Sequence, residues 1–326
     1  MQNFNLKSKF YTDINCFWVV KNSFPVIEKL NKINKRRGAK YISTFDFSTL
    51  YTKIEHSSLI EELNKIVDLA FKGGDRQYIG VNNNIAFWSS NKHKHFSKND
   101  IKFAIKHLIC ECYFTIGNSV YIQTIGIPMG IDPAPFWANL YLYQFETRFM
   151  NALRKSDIMT ARKFHGCSRF IDDLVCLNDG DKFGESFKEI YPNDLELKRE
   201  HSGDHATFLD LDIKINGGEF VYKLYDKRDE FPFFVVRMPD RSSNIPSYIF
   251  YGTIMSEIIR IARSTLLLDD LVPRIGALII RMLNQGADRC KILHQCRKAI
   301  RNHSQMFDKF ATRSEIIIEK ILQKLG

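Results

Sequence analysis

Two adjacent carboxylates, Asp172 and Asp173, interrupt an otherwise apolar β-type run, Arg169-Phe-Ile-Asp-Asp-Leu-Val-Cys176. Unpaired charges inside such a run are costly to desolvate, so something must compensate them. A turn at the pair would project both carboxylates outward together, where a divalent cation is the natural partner. The chain carries its own control: Asp269-Asp270 lies just ahead of a helical pattern with Pro273 in its first turn, and reads as a helix cap. An isolated Asp-Asp therefore carries little by itself. Asp46 ends a second β-rich run, Tyr41-Ile-Ser-Thr-Phe-Asp46, with Tyr51 five residues further on. Read alone, it is a capped strand end. A third segment, Gln123 to Asn139, is punctuated by Gly126 and Gly130 and opens onto a long helical pattern, which alone is an ordinary turn.

These segments need elements to position them. Ser168 to Leu177 reads as strand, turn, strand, which would put Asp172 and Asp173 at a hairpin tip. Phe17 to Lys21 reads as a short strand, followed by a basic helix from Phe24 to Ile33 that ends at Arg36-Arg37-Gly38. Beyond Asp46 a helix is expected from about Ser57 to Phe71, with Leu59, Leu63, Ile66, Val67 and Ala70 at helical spacing and Gly73-Gly74-Asp75 as its stop. Strands over Val81 to Trp88 and Tyr113 to Thr124 flank a helix from about Lys98 to Cys110, and the second strand turns at Gly117-Asn118. Asp132 is expected to cap the long helix, with Pro133 and Pro135 in its first turn and a buried stripe of Ala134, Ala138, Leu142, Phe145 and Phe149. Thr207 to Tyr225 reads as a hairpin around Gly217-Gly218, and from Pro246 the pattern is helical. The fold class is therefore α+β, followed by an all-helical region.

At 326 residues the chain should fold as about two domains, which excludes a peptide hormone or a bare binding motif, and 44% hydrophobic with 26% charged residues argues against disorder. No apolar run approaches the roughly 18 residues that span a bilayer, and Met1 to Lys7 lack the apolar core of a signal peptide. The expectation is a soluble intracellular protein, nuclear or cytoplasmic, not secreted and without a membrane partner. The seven cysteines are odd in number, follow no paired zinc spacing, and read as reduced core thiols.

The net charge of +10 is uneven: residues 21–40 and 244–326 carry +6 each, whereas 41–243 carry −3. An acidic centre between cationic flanks suits a polyanion gripped at two places, with carboxylates holding metal ions between them. Solvated basic helix faces are the alternative reading. Arg281, Arg289, Lys291, Arg297, Lys298 and Arg301 fall within 21 residues against Asp288, a density that suits tracking the phosphates of a duplex.

In order and context these segments resemble the reverse transcriptases, most closely those of Penelope-like retroelements and their telomerase-related kin. Phe45-Asp-Phe-Ser-Thr-Leu-Tyr51 resembles the family's first catalytic motif, Gly126-Ile-Pro-Met-Gly130 its nucleotide-binding loop, and Phe170-Ile-Asp-Asp173 its Tyr-x-Asp-Asp turn. Thr207 to Asp212, Lys223 to Asp229 and Ser243 to Pro246 resemble downstream segments of that subgroup, so the resemblance covers roughly residues 17 to 310. It implies a right-hand polymerase: partial fingers and a catalytic palm with an antiparallel sheet over residues 1–243, then a helical thumb over 244–326. It also implies that Asp46, Asp172, Asp173 and the backbone carbonyl of Phe47 hold two Mg²⁺ ions, with Mn²⁺ as a substitute. The implied reaction is RNA-directed transfer from a deoxynucleoside triphosphate to a primer 3′-hydroxyl.

The implied partners are an RNA template, a DNA primer and dNTPs. Tyr51 would lie under the sugar as a barrier to a ribose 2′-hydroxyl, Met129 and Gly130 would line the base pocket, and the six cations would bind the duplex. Phe170 stands where the family usually has Tyr, keeping the ring without its hydroxyl. Met129 replaces a Gln common in reverse transcriptases and is usual in this subgroup. The chain begins close to the first catalytic motif, with no match to the upstream fingers strands that hold the triphosphate. Two rival readings stay open: a retroelement remnant that binds nucleic acid without synthesis, and a metal-dependent phosphodiesterase using the same carboxylates.

Overall fold

A computed structural model describes residues 17–73, 76–83, 85–91, 95–233, 235 and 240–323. Met1 to Lys7, Cys16, Gly74 and Asp75 lie outside the described residues. In chain order the elements are α1 (Phe24–Asn34), β1 (Ile42–Phe47), α2 (Leu50–Lys53), α3 (His56–Ala70), β2 (Tyr78–Asn82), β3 (Ile85–Ser89), β4 (Phe96–Ser97), α4 (Lys98–Cys110), β5 (Tyr113–Ile116), β6 (Ser119–Ile122) and α5 (Ala134–Ser156). There follow α6 (Ile158–Lys163), β7 (Ser168–Phe170), β8 (Asp173–Leu177), α7 (Lys182–Ile190), β9 (Leu197–Gly203), β10 (His205–Phe208), β11 (Leu211–Asn216) and β12 (Glu219–Leu224). The helices α8 (Ser247–Arg263), α9 (Leu268–Asn284), α10 (Arg289–Asn302), α11 (Ser304–Phe307) and α12 (Ser314–Gln323) complete the chain. The expected order of mixed α+β elements followed by helices is what the chain adopts.

Two compact units form, residues 1–21 with 43–200 and residues 22–42 with 201–326. The first is built on a four-stranded sheet in the order β7-β8-β1-β9. β1 is an inner strand, and its aromatic and β-branched residues are buried while Asp46 alone keeps partial access to water. Trp18, Phe45, Phe47, Leu50, Ile127, Trp137, Tyr141, Phe164 and Phe183 belong to one core around this sheet.

Several local expectations are corrected. The long helix α5 starts at Ala134 with Pro133 at its N-cap, and Asp132 makes no cap. Its buried surface is wider than the expected stripe, taking in Trp137, Tyr141, Glu146 and Met150, while Phe145 and Phe149 are only partly buried against the core. The strand expected over Val81 to Trp88 is the β2–β3 hairpin, which turns where Asn83 adopts a left-handed φ of 45°. The strand expected from Phe17 shrinks to one bridge, Val19 with Arg169. Cys167, Cys176 and Cys296 are buried as expected, Cys110 and Cys112 are half-buried, and Cys290 is exposed.

In the second unit β10, β11 and β12 form an antiparallel meander that turns at Gly217-Gly218, where both φ angles are positive. The basic helix α1 docks on β12: Asn34 Nδ2 donates to the Phe220 carbonyl at 2.8 Å and Phe220 N–H donates back to Asn34 Oδ1 at 2.7 Å. Leu224 of β12 packs in the core of helices α8 to α12, and Leu266 N–H donates to the Tyr222 carbonyl at 2.9 Å. Packing therefore gathers the meander with the helices, whereas the 243/244 boundary divides the chain by expected role. Asp269 and Asp270 lie in the first turn of α9 and make no cap; they act there through their charge at the positive end of the helix.

Candidate active site

Asp46 is near the end of β1, and the next backbone N–H, that of Phe47, donates to the Asp172 carbonyl at 3.2 Å. That bond ties the strand end to the β7–β8 hairpin. Phe170 pairs with Asp173, which leaves Ile171 and Asp172 as a two-residue turn. Ile171 has φ 55°, a left-handed conformation that is strained for a β-branched residue. Asp172 and Asp173 are thus at the hairpin tip, as the sequence implies, and both are half-buried.

The strained tip is held from behind by a buried guanidinium. Arg169 Nη1 donates to the Ile171 carbonyl at 2.8 Å and to Asn139 Oδ1 at 2.8 Å. Its Nε donates to Glu146 Oε1 at 2.5 Å, and both side chains are fully buried. Tyr191 adds a hydroxyl bond to Glu146 Oε1 at 2.8 Å. Burial, and then the Glu146 charge, push the Tyr191 hydroxyl well above its ordinary pKa. Asn139 and Glu146 both belong to α5, so one helix fixes the turn through one arginine.

The electrostatics beside the tip run the other way, with Asp172 acting on its acidic neighbour. Burial, then the charges of Asp172 and Glu200, raise the Asp46 carboxyl above its ordinary pKa, and only Lys198 pulls it down. Burial and then the Asp172 charge raise the Tyr51 hydroxyl, which places Tyr51 in the field of the same carboxylate. A carboxylate destabilised by its neighbours is a fit for a divalent cation. Among the described residues no group of three or more His, Cys, Asp or Glu is arranged to enclose a metal.

The glycine-punctuated loop is fastened to the same region. Gly126 N–H donates to the Ile54 carbonyl at 2.8 Å, and Ile127 N–H donates to the Tyr51 carbonyl at 2.9 Å. His56 Nε2 lies 2.9 Å from the Gly126 carbonyl oxygen. Gly126 has φ 88°, and a Cβ there would stand 2.4 Å from the Tyr51 oxygen, so this position requires glycine. Pro128 is buried, whereas Met129, 69% exposed, and Gly130 face water beyond it. Tyr51 and the loop carrying Met129 and Gly130 therefore form one hydrogen-bonded assembly.

The six C-terminal cations differ in their surroundings. Arg281 is paired with Asp229 at 2.9 Å and with Asp226 at 3.4 Å, alongside Arg274 and Arg228. Burial alone would raise the Asp226 carboxyl, but the hydrogen bonds of Arg228 and the charges of Arg274 and Arg228 hold it well below the carboxylate range. Arg289, Lys291, Arg297, Lys298 and Arg301 are exposed on α10, whose buried residues are Ile292, Cys296, Ala299 and Ile300.

Sequence reasoning missed Arg169, Glu146, Glu200, Lys198 and His56. For the first two a signal existed: an arginine inside an apolar strand, and an acid one helical turn after Leu142 on the buried stripe, both demanding a partner. Glu200 and Lys198 carry no such mark.

No family model matches the sequence, and no curated protein matches it. Among solved structures the fold is similar to telomerase from Candida albicans in complex with a TWJ fragment of telomeric RNA, with a TM-score of 0.61 at 11% identity over 98% of this chain and 54% of that one. It is also similar to apo telomerase from Candida tropicalis, with a TM-score of 0.51 at 13% identity over 99% of this chain and 54% of that one. The chain spans about half the length of these telomerase chains. At this identity the likeness is one of fold. Among the described residues no helix is long and apolar enough to cross a membrane.

Proposed function

We propose that this chain is an RNA-directed DNA polymerase domain, a reverse transcriptase of the Penelope-like retroelement kind, extending a DNA primer on an RNA template with dNTPs. The observation that supports this reading is the Phe47 N–H bond to the Asp172 carbonyl at 3.2 Å, which ties the strand end carrying Asp46 to the Asp-Asp turn; the Asp172 charge acting on Asp46 and Tyr51 is in keeping with it. The telomerase-like fold supports it, and the RNA fragment bound in the Candida albicans structure supports an RNA partner.

Asp46, Asp172, Asp173 and the Phe47 carbonyl would hold Mg²⁺, or Mn²⁺ in its place. Ions bound there would lower the pKa of the primer 3′-hydroxyl and offset charge at the α-phosphate and leaving oxygen. Tyr51 meets the sugar of the incoming nucleotide and excludes a 2′-hydroxyl by the bulk of its ring. The loop from Gly126 to Gly130, anchored on Tyr51 and Ile54, presents Met129 and Gly130 to the base. Lys198 places a cation beside the acidic pair, and the exposed cations of α10 receive duplex phosphates.

Primer extension on an RNA template with Mg²⁺ tests the reading. Incorporation is expected from the parent and from Asp270→Asn, and none from Asp46→Asn or Asp172→Asn. Binding without incorporation by the parent would favour the inert remnant, and strand cleavage without triphosphates would favour the phosphodiesterase.

A further inference from the structure

Helix α8 presents Tyr248, Tyr251, Gly252 and Met255 along one face, and α10 presents Lys291, His294 and Lys298 at the same helical spacing. The two stripes line a groove of about 620 Å³ with no acidic residue among the described residues of its walls. Tyr248 is 78% exposed, an aromatic ring left in water at the groove's edge. Tyr251 is fixed, because its hydroxyl accepts the Asp288 N–H at 2.9 Å and Lys291 Nζ stands 5.7 Å from its ring centroid. A Cβ at Gly252 would meet nothing within 4 Å, so the groove is open above that position.

We propose that this groove binds a single-stranded segment of nucleic acid, stacking a base on Tyr248 while Lys291, His294 and Lys298 receive its phosphates. An aromatic rail facing a cationic rail is the arrangement that unpaired strands require, since every base has a face to stack and every linkage a charge. Bases within a duplex are already stacked on each other and leave Tyr248 without a partner. Arg297 is on another side of α10, lining a crevice with Leu293 and Ile318. The groove therefore separates Lys291 and Lys298 from a purely duplex-tracking role. The inference shares those two lysines with the polymerase reading but needs no catalysis.

The test is fluorescence anisotropy with the full chain and three labelled probes: an oligoribonucleotide, an oligodeoxynucleotide and a blunt duplex. Tyr248→Ala and Gly252→Leu, with folding checked by circular dichroism, are expected to weaken single-strand binding about tenfold and duplex binding by less than about twofold. Tyr248→Phe is expected to keep the affinity, because stacking needs the ring and not the hydroxyl. Replacing Lys291 and Lys298 by Gln should lower the salt slope by about 0.7 for each lost phosphate contact. The RNA and DNA arms identify which strand the site takes. Unchanged single-strand affinity in Tyr248→Ala, or an equal loss on the duplex, would overturn the proposal. A parent that fails to extend primers yet shows these shifts would defeat the polymerase reading and leave this one standing.

Discussion

Asp46 is an acid whose charge its surroundings oppose. Its carboxyl is raised in the folded protein by burial, Asp172 and Glu200. The folded state thus holds its proton more tightly than the unfolded chain, and this contribution to stability falls as pH rises from the ordinary carboxylate range through the raised value. At neutral pH without divalent cations, Asp46→Asn is therefore expected to have a higher Tm than the parent. Mg²⁺ should stabilise the parent by about 2.7 kcal/mol at a hundredfold excess over Kd and so raise its Tm, and leave the Asn variant unmoved. Scanning calorimetry with EDTA and with Mg²⁺ measures both, and an equal Mg²⁺ effect on the two proteins would remove Asp46 from the metal site. Tyr51→Ala is expected to raise ribonucleotide use relative to deoxynucleotide; unchanged sugar selectivity would make the ring merely structural. Asp46, Tyr51 and Asp172 are legible in sequence because each is in a short motif and the motifs keep their order. Glu200 and Lys198 are not, because β9 reaches β1 only through a sheet pairing between residues about 150 positions apart.

At the scale of elements, the hairpin and the loop are each held by one device. Breaking the buried Arg169–Glu146 pair from one side, as in Glu146→Ala, leaves an unpaired buried guanidinium and should cost about 3–5 kcal/mol in denaturant unfolding. Replacing both residues with apolar ones of similar size should restore much of that stability but not the turn, whose Ile171 carbonyl would lose its donor. A double variant as unstable as the single one would argue against the pair as the cause. For the loop, Gly126→Ala forces a Cβ against the Tyr51 carbonyl, and is expected to raise KM for dNTPs with primer-template binding unchanged. An unchanged KM would detach the loop from the nucleotide. Strand and helix positions were largely legible from period and turn residues. The Asp132 cap was not, because Pro133, with its ring-fixed φ, takes the N-cap position itself.

Across the whole molecule, the basic stretches and the candidate-site carboxylates fall in different units. Both basic stretches, 21–40 almost entirely and 244–326, belong to the second unit, while Asp46 and Asp172 belong to the first. Composition along the chain shows that asymmetry, but it does not reveal which cations are already spent. Arg281 is held by Asp226 and Asp229, a pairing visible only once β12 and α9 are placed. Arg297→Glu with Arg301→Glu is expected to weaken duplex binding and reduce its salt slope by about 0.9 per lost contact. Identical slopes would leave only a solvated face.

Template-directed incorporation tests polymerase activity itself. The chain is incubated with an RNA template, a labelled DNA primer, dNTPs and Mg²⁺, beside Asp172→Asn matched for folding and primer-template binding. Extension by the parent, absent in Asp172→Asn and in EDTA, is the expected result. Equal extension by both proteins, or none by a parent that binds primer-template across the full range of nucleotide concentration, would mean that the chain is not a polymerase using Asp172.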